Sequence, residues 1–351
     1  MKKLSVLLVL VILVGCTKVY IERGVPVTKR FRLDVPRHFE YPDVYSTFNP
    51  LSEEGVALGR KLFYDPILSG NNTISCGSCH HQEKGFSDGI VLSNKGFSGT
   101  TLLRHAPALI NVAWMDNGVF WDGGSTNLES QALAPLAAHD EMFQNLYELE
   151  NELKESPEYV RLFADAFGEV TISNMLKGLA QFQRTFISAY SKYDDYVLGK
   201  TGLSIDELKG MQLVKQKCQG CHSGVLFTDN LFHNNGLDDD FSDASHDGIY
   251  WGRYRVSSNP KDMGAFKTPT LRNIMVSAPY MHDGRFATIE EVLNHYSDGV
   301  KLSPSTDSLV IKKPLNRPGI PLTVQEKNQI IAFLKTLTDE KFLNNRNLMV
   351  K

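Results

Sequence analysis

The run Cys-x-x-Cys-His occurs twice in this chain, as CGSCH at 76–80 and as CQGCH at 218–222. The spacing puts two sulfurs and an imidazole on one turn of backbone. This is the attachment sequence for c-type haem, in which two thioethers anchor the porphyrin and the histidine ligates its iron. A zinc or redox-thiol site is the alternative for a single copy, but two complete copies favour two covalent haems. One motif lies in each half of the 351 residues. The fold is therefore expected to be mainly α, with two cytochrome c-like helical domains, each wrapped round one covalent haem c.

Of the five cysteines, four belong to the motifs: Cys76, Cys79, Cys218 and Cys221. The fifth, Cys16, closes the N-terminal run MKKLSVLLVLVILVGC. Two lysines followed by an apolar stretch too short to span a bilayer read as a signal peptide. Its ending resembles the bacterial lipobox, in which the cysteine is lipidated. Residues 1–16 are thus expected to be a lipoprotein signal, with Cys16 anchoring an exported, periplasmic protein to a bacterial membrane. No thiol remains for a disulfide, although export would permit one. A net charge of −3 with no basic block gives no support for nucleic-acid binding.

Residues 17–50 are rich in proline, aromatics and charge and read as a tether that then packs along the body. Beyond it the pattern is helical. Ser52 can cap a helix carrying Val56, Leu58 and Leu62. Apolar residues recur at three and four from Ile172 to Tyr190, predicting one amphipathic helix. Capping boxes at Ser204–Glu207, Thr288–Glu291 and Thr323–Glu326 open three more. No run alternates with period two, so strands should be few. The stretch 195–206 is the expected boundary, giving haem domains at 51–203 and 204–351.

The sixth position of each iron decides what it does. Methionine or histidine there suits electron transfer, whereas an open face suits peroxide chemistry. Met115, Met142, Met211, Met263, Met275 and Met281, with histidines and tyrosines, are candidates that spacing alone does not separate.

The segments LGRKLFYDPILSGNNTISCGSCH, FWDG, CQGCH and GAFKTPTLRNIMVSAPYMHDGRFATIEEVLNHYSDG, taken in order, closely resemble the bacterial dihaem cytochrome c peroxidase family, which also contains MauG, an enzyme that oxidises residues of a partner protein. The resemblance runs from about residue 50 to 340. It implies that the haem on Cys76, Cys79 and His80 reacts with peroxide and that the haem on Cys218, Cys221 and His222 feeds it electrons. It also implies a distal pocket of Gln131, Pro135 and Glu141, with Glu141 moving the proton that peroxide cleavage requires. Trp121 of FWDG resembles a tryptophan that lies between the haems. A surface acid and a core tryptophan are the readings of Glu141 and Trp121 without the family.

Three positions depart from the family pattern. Many members carry a blocking histidine in the loop after the first motif, but LSNKGFSGTTLL has none, so the first haem is expected to be open; His105 lies just beyond the loop. His81 points the wrong way to serve. Where members with a high-potential second haem place a methionine ligand, this chain has Tyr296, and MauG has a tyrosine. Tyr296 is therefore the expected ligand, with Met281 as the alternative. Calcium is left open and not predicted: His105 replaces the family's asparagine donor, although the carbonyls near Ser277 and Pro279 survive.

The leading expectation is a peroxidase that reduces hydrogen peroxide to water with electrons from a small c-type cytochrome. A MauG-like oxidase of a partner protein is the second reading, and a non-catalytic dihaem carrier the third. A homodimer is compatible with the sequence, which does not select it.

Overall fold

The computed structural model describes residues 26–42, 48–90, 96–312 and 317–350. The apolar leader, Cys16 and the first part of the tether lie outside the described residues.

Helix α1 (Glu53–Tyr64) begins where the Ser52 side chain accepts the Gly55 N–H, with Glu53 and Glu54 in its first turn and Lys61 in its last. Two short helices follow the first motif, α2 (Leu128–Gln131) and α3 (Leu133–Ala137), then α4 (Leu146–Glu155) and α5 (Pro157–Ala166). Helix α6 (Ile172–Gln183) returns across α1. The crossing is close because both helices carry glycine: a Cβ on Gly59 would lie 1.9 Å from the Gly178 carbonyl oxygen.

The second half repeats this device. After α7 (Lys192–Val197), α8 (Ile205–Lys217) leads straight into the second motif. Short α9 (Ile289–Asn294) precedes α10 (Val324–Lys335), which crosses α8. Here a Cβ on Gly210 would lie 1.9 Å from the Gln329 carbonyl oxygen. All three expected capping boxes form, at the starts of α8, α9 and α10. Strands are two-residue pairs: β1 (Phe232–His233) with β2 (Phe266–Lys267), and β3 (Ile311–Lys312) with β4 (Arg317–Pro318).

Two large apolar cores form among the described residues. Leu58, Leu62, Phe63, Phe86, Phe182 and Phe186 centre the first, where Phe86 stacks on Phe186 at 3.9 Å between centroids. Val214, Phe227, Ile330, Phe333 and Leu334 centre the second. The chain then crosses back: Phe342, Leu343 and Leu348, in and after helix α11 (Glu340–Leu343), pack in the first core. Gln82 Nε2 donates to the Phe342 and Asn345 carbonyls, which ties that return to the first motif. The end of the chain, grouped with the second half on sequence, thus completes the first.

The amphipathic helix expected to reach Tyr190 stops at Gln183. Beyond it, side chains from elsewhere take the backbone groups that a helix would bond. Asn111 bonds the Ser188 N–H and carbonyl, and the Asp339 carboxylate accepts from the Ala189 and Tyr190 N–H groups. Phe186 and Tyr190 match the helical period without being helical.

The described part of the tether packs along the body as expected. Leu33 is buried with Leu51, and His38 Nε2 lies 2.9 Å from an Asp194 oxygen. Asp194 also receives both Arg272 terminal nitrogens, at 2.9 and 2.8 Å, in a fully buried cluster.

Candidate functional site

Both motifs open onto one continuous cavity of about 1140 Å³, lined by Cys79 and His80 at one end and by Cys218, Cys221 and His222 at the other. Each histidine is oriented in the same way. His80 donates its Nδ1–H to the Phe86 carbonyl at 2.6 Å, and His222 donates to the Phe227 carbonyl at 3.2 Å. Both phenylalanines are buried and hold left-handed backbone, with φ of 59° and 52°, a conformation costly for a residue with a Cβ. The tautomer is thereby set in both sites, and Nε2 is left for a metal. Burial also lowers the pKa of both rings, which favours the neutral, ligating form.

The residues present fit covalent haem and not zinc. A tetrahedral ion would need the sulfurs and imidazole to converge on one point. Among the described residues the only cluster of ligating atoms that close is Cys221, Asp229 and His233, which contains neither motif histidine. None of the four motif cysteines is in a disulfide. Cys79, Cys218 and Cys221 border a space large enough for a macrocycle, and each half offers one ligand nitrogen.

The expected distal residues are brought together at the first site. Gln131 ends α2, Pro135 lies in α3, and the chain folds back so that the Met142 N–H meets the Pro135 carbonyl at 3.1 Å. That turn carries Glu141, and all three side chains line the cavity. Burial, then the charge of Asp140, raises the Glu141 pKa. Its carboxylate is near enough to Cys79 to help push that thiol up to about 11, after burial and Asp88. The described part of the loop after the first motif, which has no histidine, docks here: Phe97 N–H bonds the Glu141 carbonyl, and Thr101, Leu102 and Leu103 line the cavity.

Trp121 lines the same cavity and donates its indole N–H to the His105 carbonyl at 2.8 Å. The His105 N–H in turn donates to the His282 carbonyl at 2.9 Å. The His105 ring is engaged elsewhere, 2.6 Å from Asp88 and 3.1 Å from the Ser87 hydroxyl. It therefore offers no side-chain donor to a cation beside Ser277 and Pro279. His81 is absent from the cavity lining.

At the second site Tyr296 and Met281 face the same group. Asn235 Nδ2 donates to the Tyr296 hydroxyl at 3.3 Å and lies 3.5 Å from Met281 Sδ. Tyr296 sits in a π-helical turn, His295–Gly299, a local irregularity that often marks functional sites. Burial pushes its phenol up to about 12. Of the other methionines considered, only Met115 lines the cavity, while Met142 is buried in the first core.

Three lining residues were not singled out from the sequence: Gln183 and His282, which are buried, and Arg104, which is half-buried. Each has a polar atom that meets no protein partner. His282 lies within a family-like segment, but no local pattern assigns a role to any of the three, because that role follows from the packing of distant segments.

A family model described as di-haem cytochrome c peroxidase matches residues 53–202. The methylamine utilization protein MauG of Methylorubrum extorquens is 37% identical, covering 83% of this chain and 80% of that protein. The cytochrome-c peroxidase IdrP1 of Pseudomonas sp. strain SCT is 35% identical, over 83% of this chain and 82% of its own. The crystal structure of a MauG-like protein associated with microbial copper homeostasis superposes with a TM-score of 0.80 at 35% identity, covering 91% of this chain and 99% of that one.

Proposed function

The chain belongs to the di-haem cytochrome c peroxidase family, a family of peroxidase oxidoreductases, and from that premise we propose that it uses hydrogen peroxide to oxidise a protein partner, in the manner of MauG. The observation that carries this reading is Tyr296, a buried phenol facing the cavity at the second motif. A tyrosinate is a hard, anionic donor that favours the oxidised metal over the reduced one. A site so tuned suits withdrawing electrons from difficult donors better than relaying them from an easy one. Similarity to MauG and to a MauG-like protein along most of the chain supports the same reading.

When bound, the two haems supply the iron at which peroxide is reduced and the route for single electrons. The chain's own residues set the terms. His80 and His222, fixed by the Phe86 and Phe227 carbonyls, would each hold one iron. Glu141, its pKa raised by burial, is the carboxyl placed to take and return a proton beside Gln131 and Pro135. Trp121 lies along the cavity between the motifs. With no histidine in the described part of the loop after the first motif, peroxide enters without prior reduction. The protein is exported and tethered by lipid at Cys16.

Reduction of peroxide with electrons from a small c-type cytochrome is the second reading, favoured by the comparable similarity to IdrP1. Adding peroxide to the fully oxidised protein separates them. A spectral change at both haems that persists until a protein donor is added supports the proposal. Rapid turnover with a reduced small cytochrome and no persistent state overturns it in favour of the second reading.

A further inference from the structure

The cavity wall between the two motifs carries unpaired hydrogen-bonding nitrogens. His282 is 4% exposed, and neither ring nitrogen has a partner. Arg104 spends its terminal nitrogens on Asp122 at 2.7 Å and on the Ile249 carbonyl at 2.8 Å, and its Nε is buried without a partner. Both residues border the cavity. Both also pack on Phe266, which stacks against the His282 ring at 3.6 Å and has the Arg104 guanidinium 5.7 Å from its centroid. A buried donor left unpaired is costly, and two beside one ring are not expected without a ligand that accepts from them.

We infer that His282 and Arg104 form a carboxylate cradle, which takes a propionate side arm of the porphyrin held by Cys218 and Cys221. An anionic acceptor suits the set: Arg104 is a permanent cation, and an imidazole can donate to a carboxylate while stacked on Phe266. The second porphyrin is the one addressed because His282 adjoins Met281, which shares Asn235 with Tyr296. The cradle also joins the two sites through backbone, since the His282 carbonyl accepts from His105 and the His105 carbonyl accepts from Trp121. His282 and Arg104 are thus positioning residues that fix the second porphyrin relative to Trp121.

The inference rests on the reading that each motif holds a haem, and a haem count per chain tests that premise separately. His282→Phe keeps the stack on Phe266 and removes both nitrogens. Arg104→Lys keeps a cation for Asp122 and removes Nε. In holoprotein carrying two haems, each variant should shift the propionate bending band in resonance Raman spectra. Each should also lower the midpoint potential of the second haem and leave that of the first unchanged, because a carboxylate stripped of donors stabilises the oxidised iron. His282→Gln should restore part of both shifts. Unchanged band and potential at the second haem in both variants, or changes confined to the first haem, overturn the assignment. Neither readout depends on turnover, so the cradle can fail while the proposed oxidation stands, and the reverse.

Discussion

His80 donates its Nδ1–H to the carbonyl oxygen of Phe86 at 2.6 Å, and Phe86 holds a φ of 59° to present it. The ring of Phe86 is fully buried and stacked on Phe186, so the core holds the backbone in a conformation that it would otherwise leave. Phe227 does the same for His222. Phe86→Ala should cost about 3–5 kcal/mol, as expected for a large buried ring. It should also alter the optical spectrum of the first haem and not that of the second, and Phe227→Ala should do the converse. Thermal unfolding and absorption spectra of the two variants check this.

Glu141→Gln keeps the shape of the distal pocket and removes its proton carrier. Peroxide turnover should fall by at least about a hundredfold, the scale of general acid–base catalysis, with both haems still attached. Because burial raises the Glu141 pKa, activity that depends on the protonated carboxyl should persist above the ordinary carboxylate range and then decline as pH rises. The variant should lack that limb of the pH profile.

Tyr296 and Met281 make opposite predictions. Tyr296→Phe should change the resting spectrum and raise the potential of the second haem, whereas Met281→Leu should leave both nearly as they are. The reverse pattern in paired EPR and redox titrations would assign the ligand to Met281.

Asp194 couples folding to acid. Burial pushes its carboxyl up, but the Arg272 guanidinium, with His38 and Ser191, outweighs this and holds it at about 2, below the usual 3.8. Its folded pKa is depressed, so its stabilisation is complete above the unfolded value and is lost as pH falls through about 2. The shift corresponds to roughly 2 kcal/mol. Arg272→Met strands the carboxylate in the interior and should cost about 3–5 kcal/mol at neutral pH. Denaturant titrations at pH 7 and pH 3 should show the variant's deficit shrinking in acid.

Calcium removal should change nothing. The His105 ring is committed to Asp88 and Ser87, so chelator-treated protein should keep its spectra and melting temperature. Emission analysis should find no stoichiometric calcium.

Much of this site is readable in the order of residues, because the proposed covalent attachment of haem would demand it. Cys76, Cys79 and His80, and their counterparts at 218–222, must be adjacent to serve one porphyrin, and adjacency is what a linear chain records. Helix starts are legible for the same reason: Ser204, Thr288 and Thr323 cap the turns that immediately follow them. Family resemblance further located Gln131, Pro135 and Glu141, which one tight turn gathers into a single wall. What the sequence could not decide is whatever depends on segments far apart in the chain. The helical period runs on to Tyr190, yet Asn111 and Asp339 take the backbone bonds from Ser188 to Tyr190 and end the helix early. The last residues belong by position to the second half, but Phe342 and Leu348 are buried in the first core. No local pattern assigns a role to His282 or Arg104. Only the closing of β2, the 104–122 segment and the turn at Met281 around one cavity leaves their nitrogens buried and unpaired, and a buried donor acquires its meaning from what surrounds it.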